Sequence, residues 1–397
     1  MPTVKITKIP IAWTQKEVKH VLDNAGNFVY KSPAYYTWEG IRKIVRAGLA
    51  STYYPLGSII YDNFNPSTGT AFQVVGFNKH FDPTLTAQGY THSMTLCQLK
   101  LDLRQFDAVE SMMYLTQAMP AGTYRFTMPN YDASYGGNKT YYFTTTADTP
   151  AGGVITLVWN YNQTPSSIST YATPESTTAL NSAKALTVWD ESVTTTDLGT
   201  VTYSDTASTG AYGIFNHIHR ARYGSNNYYQ SGLRQILNTD KAASTWWEAT
   251  TIFDRPYSNR ATAGYLSTLN PDMISILGTP EISYVTNNVF EYPSLDGTTF
   301  TKNTSYTIST DKMFLLSHTE VNLSSSPNIG SVLDYYVDAA NAKRIKYRKD
   351  TGAVYYWWLR APFPSLAHGE RSVFTSGALY DYNAYNSYGS APACIIQ

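Results

Sequence analysis

The side chains best suited to chemistry are few and scattered. Seven histidines occur, His20, His80, His92, His217, His219, His318 and His368. His217 and His219 stand two apart, so on a strand they would share a face and could offer two nitrogens to a metal. No carboxylate or third histidine stands at ligand spacing beside them in sequence, and the pair is weak evidence for a site. His80 and Asp82 form a similar weak pair near a loop, and Asp62, Asp82 and Asp132 do not build a dense calcium loop. Cys97 and Cys394 are the only cysteines. Their separation gives neither a disulfide framework nor a zinc site and reads as two small buried side chains. No nucleophile elbow, phosphate loop, dinucleotide fingerprint or H-E-x-x-H occurs. Paired glycosidase carboxylates would leave no local mark in sequence. The basic group Lys343, Arg344, Lys346, Arg348 and Lys349 could meet an acidic ligand, but reads more simply as the solvated side of a strand or loop. No metal or cofactor is expected.

Bulk composition points the same way. Charged residues make up 15% of the 397, with 29 basic and 29 acidic side chains. A chain with zero formal net charge offers no field for a nucleic-acid backbone or an anionic membrane. Tyrosine supplies 34 residues against 15 phenylalanines. Tyrosine packs its ring while keeping its hydroxyl wet, which suits a particle-borne or extracellular binding protein. The N-terminal stretch lacks a continuous apolar region, so no signal peptide is expected, and no run approaches the length of a membrane span. The glycosylation patterns at Asn138, Asn162, Asn303 and Asn322 then read as accidents of a polar, Thr-rich chain.

The elements follow from periodicity. Residues 1–30 alternate as short strands and a connector. Trp38, Ile41, Val45 and Gly48 fall on one helical stripe, predicting a helix over Trp38–Leu49 with Thr37 as its cap and Glu39 at its positive end. Strands are expected at Ser58–Tyr61, Ala71–Phe77 and Ser93–Leu99. A second helix is expected near Asp107, with Asp107 and Glu110 as a capping box and Val109, Met112, Met113 and Met119 as its apolar face. From Gly122 to about Tyr203 the chain turns Thr/Ser/Tyr/Gly-rich, with alternating runs at Thr123–Met128, Thr140–Thr145, Val154–Trp159 and Gly199–Tyr203, as in a β-rich unit. Helices return with Ser231 capping Leu233, Ile236 and Leu237, and with Asn270-Pro271 opening a helix that buries Met273, Ile276 and Leu277.

The most informative segment is Tyr355–Gln397. Adjacent Trp357 and Trp358 on a strand must point to opposite faces, one anchoring the core and the other packing beneath a loop. Arg360 is expected to pair with a buried carboxylate or backbone carbonyls. Ala391-Pro392-Ala393-Cys394-Ile395-Ile396 reads as an apolar strand with proline at its start. Between them, Gly377–Gly389 carries Tyr380, Tyr382, Tyr385 and Tyr388 with Asn383, Asn386, Asp381 and Ser387. Binding loops favour this palette, because tyrosine gives contact area at low entropic cost while serine and asparagine adapt their hydrogen bonds. An ordinary polar loop is the competing reading, but such loops rarely carry so many aromatics.

Several stretches resemble a domain-of-unknown-function family of gut bacteria and their phages. That family is related to the C-type-lectin-like variable proteins of diversity-generating retroelements, of the phage major tropism determinant type. The stretches are Trp38–Tyr54, Thr91–Leu96, Tyr223–Asn238, Phe253–Pro256, Gly264–Leu277, Asp311–Leu316 and the W-W-L-R-A-P to P-A-C-I-I ending. The resemblance implies an α+β, C-type-lectin-like fold over residues 31–121 and 206–397, with a β-rich insertion at 122–205 and a short N-terminal attachment segment at 1–30. In such proteins asparagine codons are diversified by adenine miscopying. By position, the resemblance implies ligand contact by His368, Phe374, Ser376, Ala378, Tyr380, Asp381, Tyr382, Ala384, Tyr385, Asn386 and Ser387. Glu370 cannot arise from such a codon and is expected to be fixed. The function implied is a phage adhesin, assembled in the host cytoplasm into the virion. It would bind a host cell-surface protein or glycan and contact other virion proteins, with no nucleic acid, no membrane insertion and a homotrimer as the expected assembly. A bacterial, non-virion ligand-binding protein of the same fold is the alternative, followed by an enzyme like the formylglycine-generating relatives. Those relatives need reactive cysteines in a pocket, which Cys97 and Cys394 do not suggest.

Overall fold

In the computed structural model, which describes residues 19–22, 28–31, 37–128, 137–160, 164–201, 208–285, 305–363 and 366–397, the first helix after the N-terminal segment is Trp38–Arg46. Thr37 sits in extended backbone and its hydroxyl accepts from the Gly40 amide at 3.1 Å, while Glu39 pairs with Arg42 at 2.5 Å. Trp38, Ile41, Ile44 and Val45 are buried. The helix ends before the expected Leu49, because Gly48 takes a left-handed φ of 72° that breaks the helical path. A Cβ there would also come within 2.9 Å of the His92 ring.

The fold is mixed α/β with several sheets. A five-stranded antiparallel sheet runs Leu277–Gly278, Ala393–Ile396, Met94–Gln98, Ala71–Phe77, Ile59–Tyr61. The C-terminal strand is therefore interior, with Pro392 just before it, where no ladder donor is lost. A seven-stranded sheet runs Val354–Tyr355, Lys346–Arg348, Lys100–Gln105, Ser387–Ser390, Trp357–Pro362, Gly369–Val373, Leu379–Asn383. Consecutive strands Met94–Gln98 and Lys100–Gln105 thus enter different sheets and tie them together. One core gathers Trp38, Ile41, Phe72, Leu96, Phe106, Leu233, Met273, Trp358 and Cys394. A neighbouring core holds Val75, Cys97, Phe314, Leu333, Trp357 and Val373. Cys97 and Cys394 are free thiols that belong to different cores.

The β-rich stretch forms a four-stranded sheet and half of a six-stranded one, whose other strands, Met113–Leu115, Ser208–Gly210 and Gly213–Phe215, come from outside the expected 122–205 bounds; the two sheets share a core of their own. Phe126 and Phe143 from the smaller sheet meet Ile155, Leu157 and Ile168 from the larger. Met112–Met119 and Phe215–Ala221 also contribute to this core. The helix expected from Asp107 is not formed. Met113–Leu115 is a strand, and the amides of Met112 and Leu115 donate to the Ile155 and Gly153 carbonyls at 2.8 Å. Long-range pairing has overridden a local capping pattern, and the methionine stripe faces a β core. Asp107 instead accepts from the Gly232 amide at 3.1 Å, at the start of the helix Gly232–Leu237, whose cap is Ser231 as expected. Asn270 caps Pro271–Ile276. The strands expected at Ala71–Phe77 and Val154–Trp159 form with those limits. The expected Gly199–Tyr203 strand is instead Thr196–Thr200, and residues 202 and 203 lie outside the described residues.

The basic group is split. Arg344 is buried and donates to the Gly377, Val321 and Ala339 carbonyls, and Lys346 is buried with its Nζ 2.6 Å from the Gln98 carbonyl. Only Lys343 and Arg348 pair with surface carboxylates, Asp338 and Asp350. No helix among the described residues is long and apolar enough to cross a membrane.

Candidate functional site

Side chains directly opposite one another on antiparallel strands share a face. In the seven-stranded sheet, Trp358 lies opposite Ser372, Ser372 opposite Tyr380, and Glu370 opposite Tyr382. Tyr356 and Phe374 extend that face, and Tyr388 completes it from the neighbouring strand. Ring centroids lie 4.8 Å apart for Tyr356 and Phe374, 5.0 Å for stacked Tyr356 and Tyr388, 4.6 Å for Tyr382 and Tyr388, and 5.3 Å for Phe374 and Tyr380. The layer is graded. Trp358 and Tyr388 are buried, whereas Tyr380 is 45% and Tyr382 36% exposed. Burial first, then a hydrogen bond with Tyr382, pushes the Tyr388 phenol up, so it stays protonated. Arg104, opposite Tyr388, edges the face.

Beneath this layer lie Glu370 and Ser372, both buried, with neither Glu370 oxygen nor the Ser372 hydroxyl hydrogen-bonded. Burial raises the Glu370 carboxyl well above its usual range, and the neighbouring Arg371 charge only partly opposes this. A carboxyl in that setting holds its proton.

Two interactions stiffen the base. Trp357 and Trp358 point to opposite faces and are both fully buried, each in a different core. Neither merely packs beneath a loop. Their indole N–H groups donate to the Arg344 carbonyl at 2.9 Å and the Arg104 carbonyl at 3.0 Å. Arg360 finds the buried carboxylate expected of it, Glu320, at 2.6 Å, and also donates to the Leu315 and Ser283 carbonyls. Burial pushes Glu320 up, but the charges and hydrogen bonds of Arg360 and His80 outweigh it and hold the carboxyl below its usual range. His80 thus pairs with Glu320 at 2.9 Å rather than with Asp82, which caps the short helix Pro83–Ala87. The Thr95 hydroxyl lies 3.2 Å from the other His80 nitrogen. This hydroxyl–imidazole–carboxylate array looks like a nucleophilic triad in composition. Thr95 is wholly buried, however, and Glu320 is committed to Arg360, so the array acts as an internal brace.

The residues expected to touch ligand divide into groups. Phe374, Tyr380 and Tyr382 belong to the aromatic face, with Ser376 and Ala378 in the turn beside it, where Gly377 takes a φ of 82°. Asp381 points to the opposite face, 3.7 Å from Arg371. That contact is loose. Burial outweighs it on both sides, raising Asp381 and lowering Arg371. Asn386 and Ser387 stand at the turn into the last strand of the face. His368 and Ala384 are buried and do not belong to an exposed surface. The segment around Tyr223–Asn226 covers them: Tyr385 donates its amide to the Tyr223 carbonyl, and Asn226 donates to the Leu366 and Gly369 carbonyls. Tyr385 accordingly packs on Tyr223 at 5.8 Å, away from Tyr380.

His217 and His219 do not share a strand. His217 caps the helix Ile218–Tyr223, its Nδ1 accepting from the His219 amide at 3.2 Å. The rings of His217, His219 and His368 form a chain of edge contacts, with centroids 5.2 and 5.0 Å apart. They do not converge on one point, and no group of three His, Cys, Asp or Glu among the described residues could hold a metal ion. Burial, then the Arg222 charge, lowers His219 to about 4; burial, then His219 and Arg222, lowers His368 to about 3.

The ligand-contact candidates read from the sequence include neither Tyr356 nor Tyr388, although Tyr388 belongs to the Tyr/Asn-rich run, and Glu370 is marked there only as a fixed position. Tyr356 and Trp358 alternate, which could have placed them on one face. Nothing local marks Glu370 as lying under Tyr382.

Residues 205–397 match the model of a domain of unknown function, DUF6273. No curated protein and no solved structure matches the chain. The matched stretch holds nearly all of the aromatic face. It excludes Met94–Gln98 and Lys100–Gln105, the strands that join the two sheets supporting it, so the structural unit extends beyond the match.

Proposed function

We propose that the chain is a binding module rather than an enzyme. It is a phage structural adhesin of C-type-lectin-like fold whose Tyr380–Tyr382 face contacts a host cell-surface protein or glycan. The observation that carries this reading is the graded aromatic layer: half-exposed Tyr382 packs on the buried Tyr388 ring, which packs on Trp358, and half-exposed Tyr380 packs on Tyr382. Exposed aromatic area on a stiff base is what interface anchors require, since little entropy is lost when a partner covers it. In this reading the N-terminal segment attaches to other virion proteins, the assembly is a homotrimer, and the turn positions Ser376 and Ser387, which are exposed, and Ala378 and Asn386, which are half-buried, are the ones free to vary. The fixed elements beneath, Trp358, Tyr388 and Glu370, would let surface residues change without loss of fold.

The test uses the full chain carrying Tyr380→Ala and Tyr382→Ala, applied to a glycan array and to a panel of gut bacterial cells beside the parent. The parent is expected to bind one surface and the variant to lose at least about tenfold in affinity, since anchor truncations cost about 2 kcal/mol or more. Thermal unfolding should be unchanged. Equal binding by the two proteins would sink the assignment of this face.

A further inference from the structure

The aromatic face ends at a sheet edge. Leu379–Asn383 is the last strand of the seven-stranded sheet and pairs with Gly369–Val373 on one side only. In an antiparallel pair, alternate residues turn their amide and carbonyl toward the partner strand, and the residues between turn theirs away. The Phe374 amide donates to the Ala378 carbonyl at 2.8 Å, and the Ala384 amide to the His368 carbonyl at 2.9 Å. That parity sends the backbone groups of Tyr380 and Tyr382 inward and those of Leu379, Asp381 and Asn383 outward. The Asn383 carbonyl is used in the following turn, where it accepts the Asn386 amide at 3.0 Å. Among the described residues, no strand pairs with the outward groups of Leu379 and Asp381.

This edge differs from the other seven edges of the four larger sheets. Ile59–Tyr61 and Ser208–Gly210 have three residues, and Thr187–Val188, Leu277–Gly278 and Val354–Tyr355 have two. Asn181–Ala185 and Thr196–Thr200 are longer, but each meets its neighbour with a register shift. Ala183 and Gly199 also take left-handed φ values of 47° and 109° there. Short length and bulges are the usual ways of blunting an edge against further pairing. Leu379–Asn383 has five residues in unbroken register, with no proline, glycine or lysine.

The side chains along the edge specify what would pair with it. Tyr380 and Tyr382 stand half-exposed on one face. On the other face, Leu379 packs on the core and Asp381 is part-exposed. Arg371, the cation nearest Asp381, is engaged elsewhere: it donates to the Ser325 hydroxyl at 2.7 Å and lies over the Phe363 ring. Its 3.7 Å approach leaves the Asp381 carboxylate open to a cation from outside. A second copy of this chain fits poorly, because full-register antiparallel pairing of two such strands would set the Asp381 carboxylates opposite each other.

We infer that Leu379–Asn383 takes up an extended segment of a partner protein as an added antiparallel strand. The segment would place a basic residue opposite Asp381 and apolar β-branched residues opposite Tyr380 and Tyr382. Strand addition of this kind draws its affinity from main-chain hydrogen bonds and its specificity from alternate side chains. The inference rests on the reading of the Tyr380–Tyr382 face as the contact surface, and deepens it by naming a polypeptide rather than a glycan as the occupant.

The probe is the capped peptide Thr-Val-Lys-Val-Thr, titrated against the full chain by saturation-transfer NMR. The peptide is expected to bind. Methylating its lysine amide nitrogen should abolish binding, because that N–H faces Asp381; methylating the amide of the valine after it should not, because that N–H faces away. Asp381→Pro should bind at least about fivefold more weakly than Asp381→Ala, since both lose the carboxylate but only proline loses the outward N–H. Thermal unfolding of Asp381→Pro should stay near the parent's, because the lost amide points out of the sheet. The methylated peptides leave the protein untouched, so they decide the matter even where that variant fails to fold. The inference is overturned if the plain peptide does not bind, if the two methylated peptides bind alike, or if the proline and alanine variants bind alike. A concentration-dependent dimer of the parent that Asp381→Pro abolishes would give the edge to a second copy and also overturn it. Loss of cell adsorption by Tyr380→Ala, Tyr382→Ala without peptide binding by the parent would leave the contact face standing and remove only the added strand.

Discussion

Glu370 and Tyr382 are direct cross-strand partners, yet the carboxyl is fully buried without a hydrogen bond while the ring above it is 36% exposed. The acid beneath the aromatic layer is thus inaccessible, and its effect must be read through stability. Its folded pKa is raised by burial. The native state therefore keeps a proton that the unfolded chain releases above about pH 4.3. Stability from this group is present at low pH and lost as pH rises toward the folded value. Glu370→Gln keeps the shape and removes the titration. The variant should match the parent near pH 4 and become progressively more stable than it at higher pH, by at most about 1.4 kcal/mol per pH unit. Denaturant melts at pH 4, 6 and 8 measure this, and parallel curves would refute it.

The tryptophan pair makes a second expectation. Trp357 and Trp358 anchor different cores and each satisfies its indole N–H on a backbone carbonyl. Each truncation to alanine should cost about 3–5 kcal/mol. Unfolding midpoints within error of the parent for either variant would show that core not to depend on it.

The sequence made the supports more legible than the face. Thr37, Ser231 and Asn270 cap helices because a hydroxyl or amide oxygen three residues or fewer from an open N–H is a local event. The opposed tryptophans follow from strand geometry alone. The Asp107 helix failed for the converse reason. Its capping pattern is local, but Met112 and Leu115 find carbonyls on residues far along the chain, and no periodicity records that. The same limit hid Tyr356 and Tyr388 from the candidate list and put His368 and Ala384 on it. A residue-type palette identifies a strand rich in the residue types that binding loops favour, but not which of them another segment covers. Both sheets also depend on where residues 59–105 lie, outside the segment that carries the palette.

The histidine chain predicts an acid-side weakness. His219 and His368 are held at about 4 and about 3, below the usual 6.5. The native state leaves both neutral while the unfolded chain protonates them below pH 6.5. Stability from these groups should therefore be full above about pH 6.5 and fall as the pH drops below it, before most carboxylates titrate. His368→Gln should remove up to one proton from the slope between pH 5 and 6.5, about 1.4 kcal/mol per pH unit. An unchanged slope in that window would mean that His368 is not buried neutral.

The last expectation separates the layers of the aromatic face. Tyr388 is buried against Trp358, Tyr356 and Tyr382, with centroids at 5.0, 5.0 and 4.6 Å. Tyr380 touches Phe374, Tyr356 and Tyr382 at 5.3, 6.3 and 5.7 Å, but is 45% exposed. Removing the lower ring opens a cavity under the face, whereas removing the upper one mostly exchanges one wet surface for another. Tyr388→Ala should thus cost about 3 kcal/mol or more, while Tyr380→Ala should stay within about 1 kcal/mol of the parent. Binding should respond in the opposite proportion, since Tyr380 is the ring a partner would cover. Thermal melts and adsorption assays on the two single variants measure both halves. If Tyr380→Ala unfolds as readily as Tyr388→Ala, the ring is part of the core. If Tyr380→Ala neither unfolds nor weakens binding, it is an ordinary surface tyrosine, and the interface must be sought elsewhere on the chain.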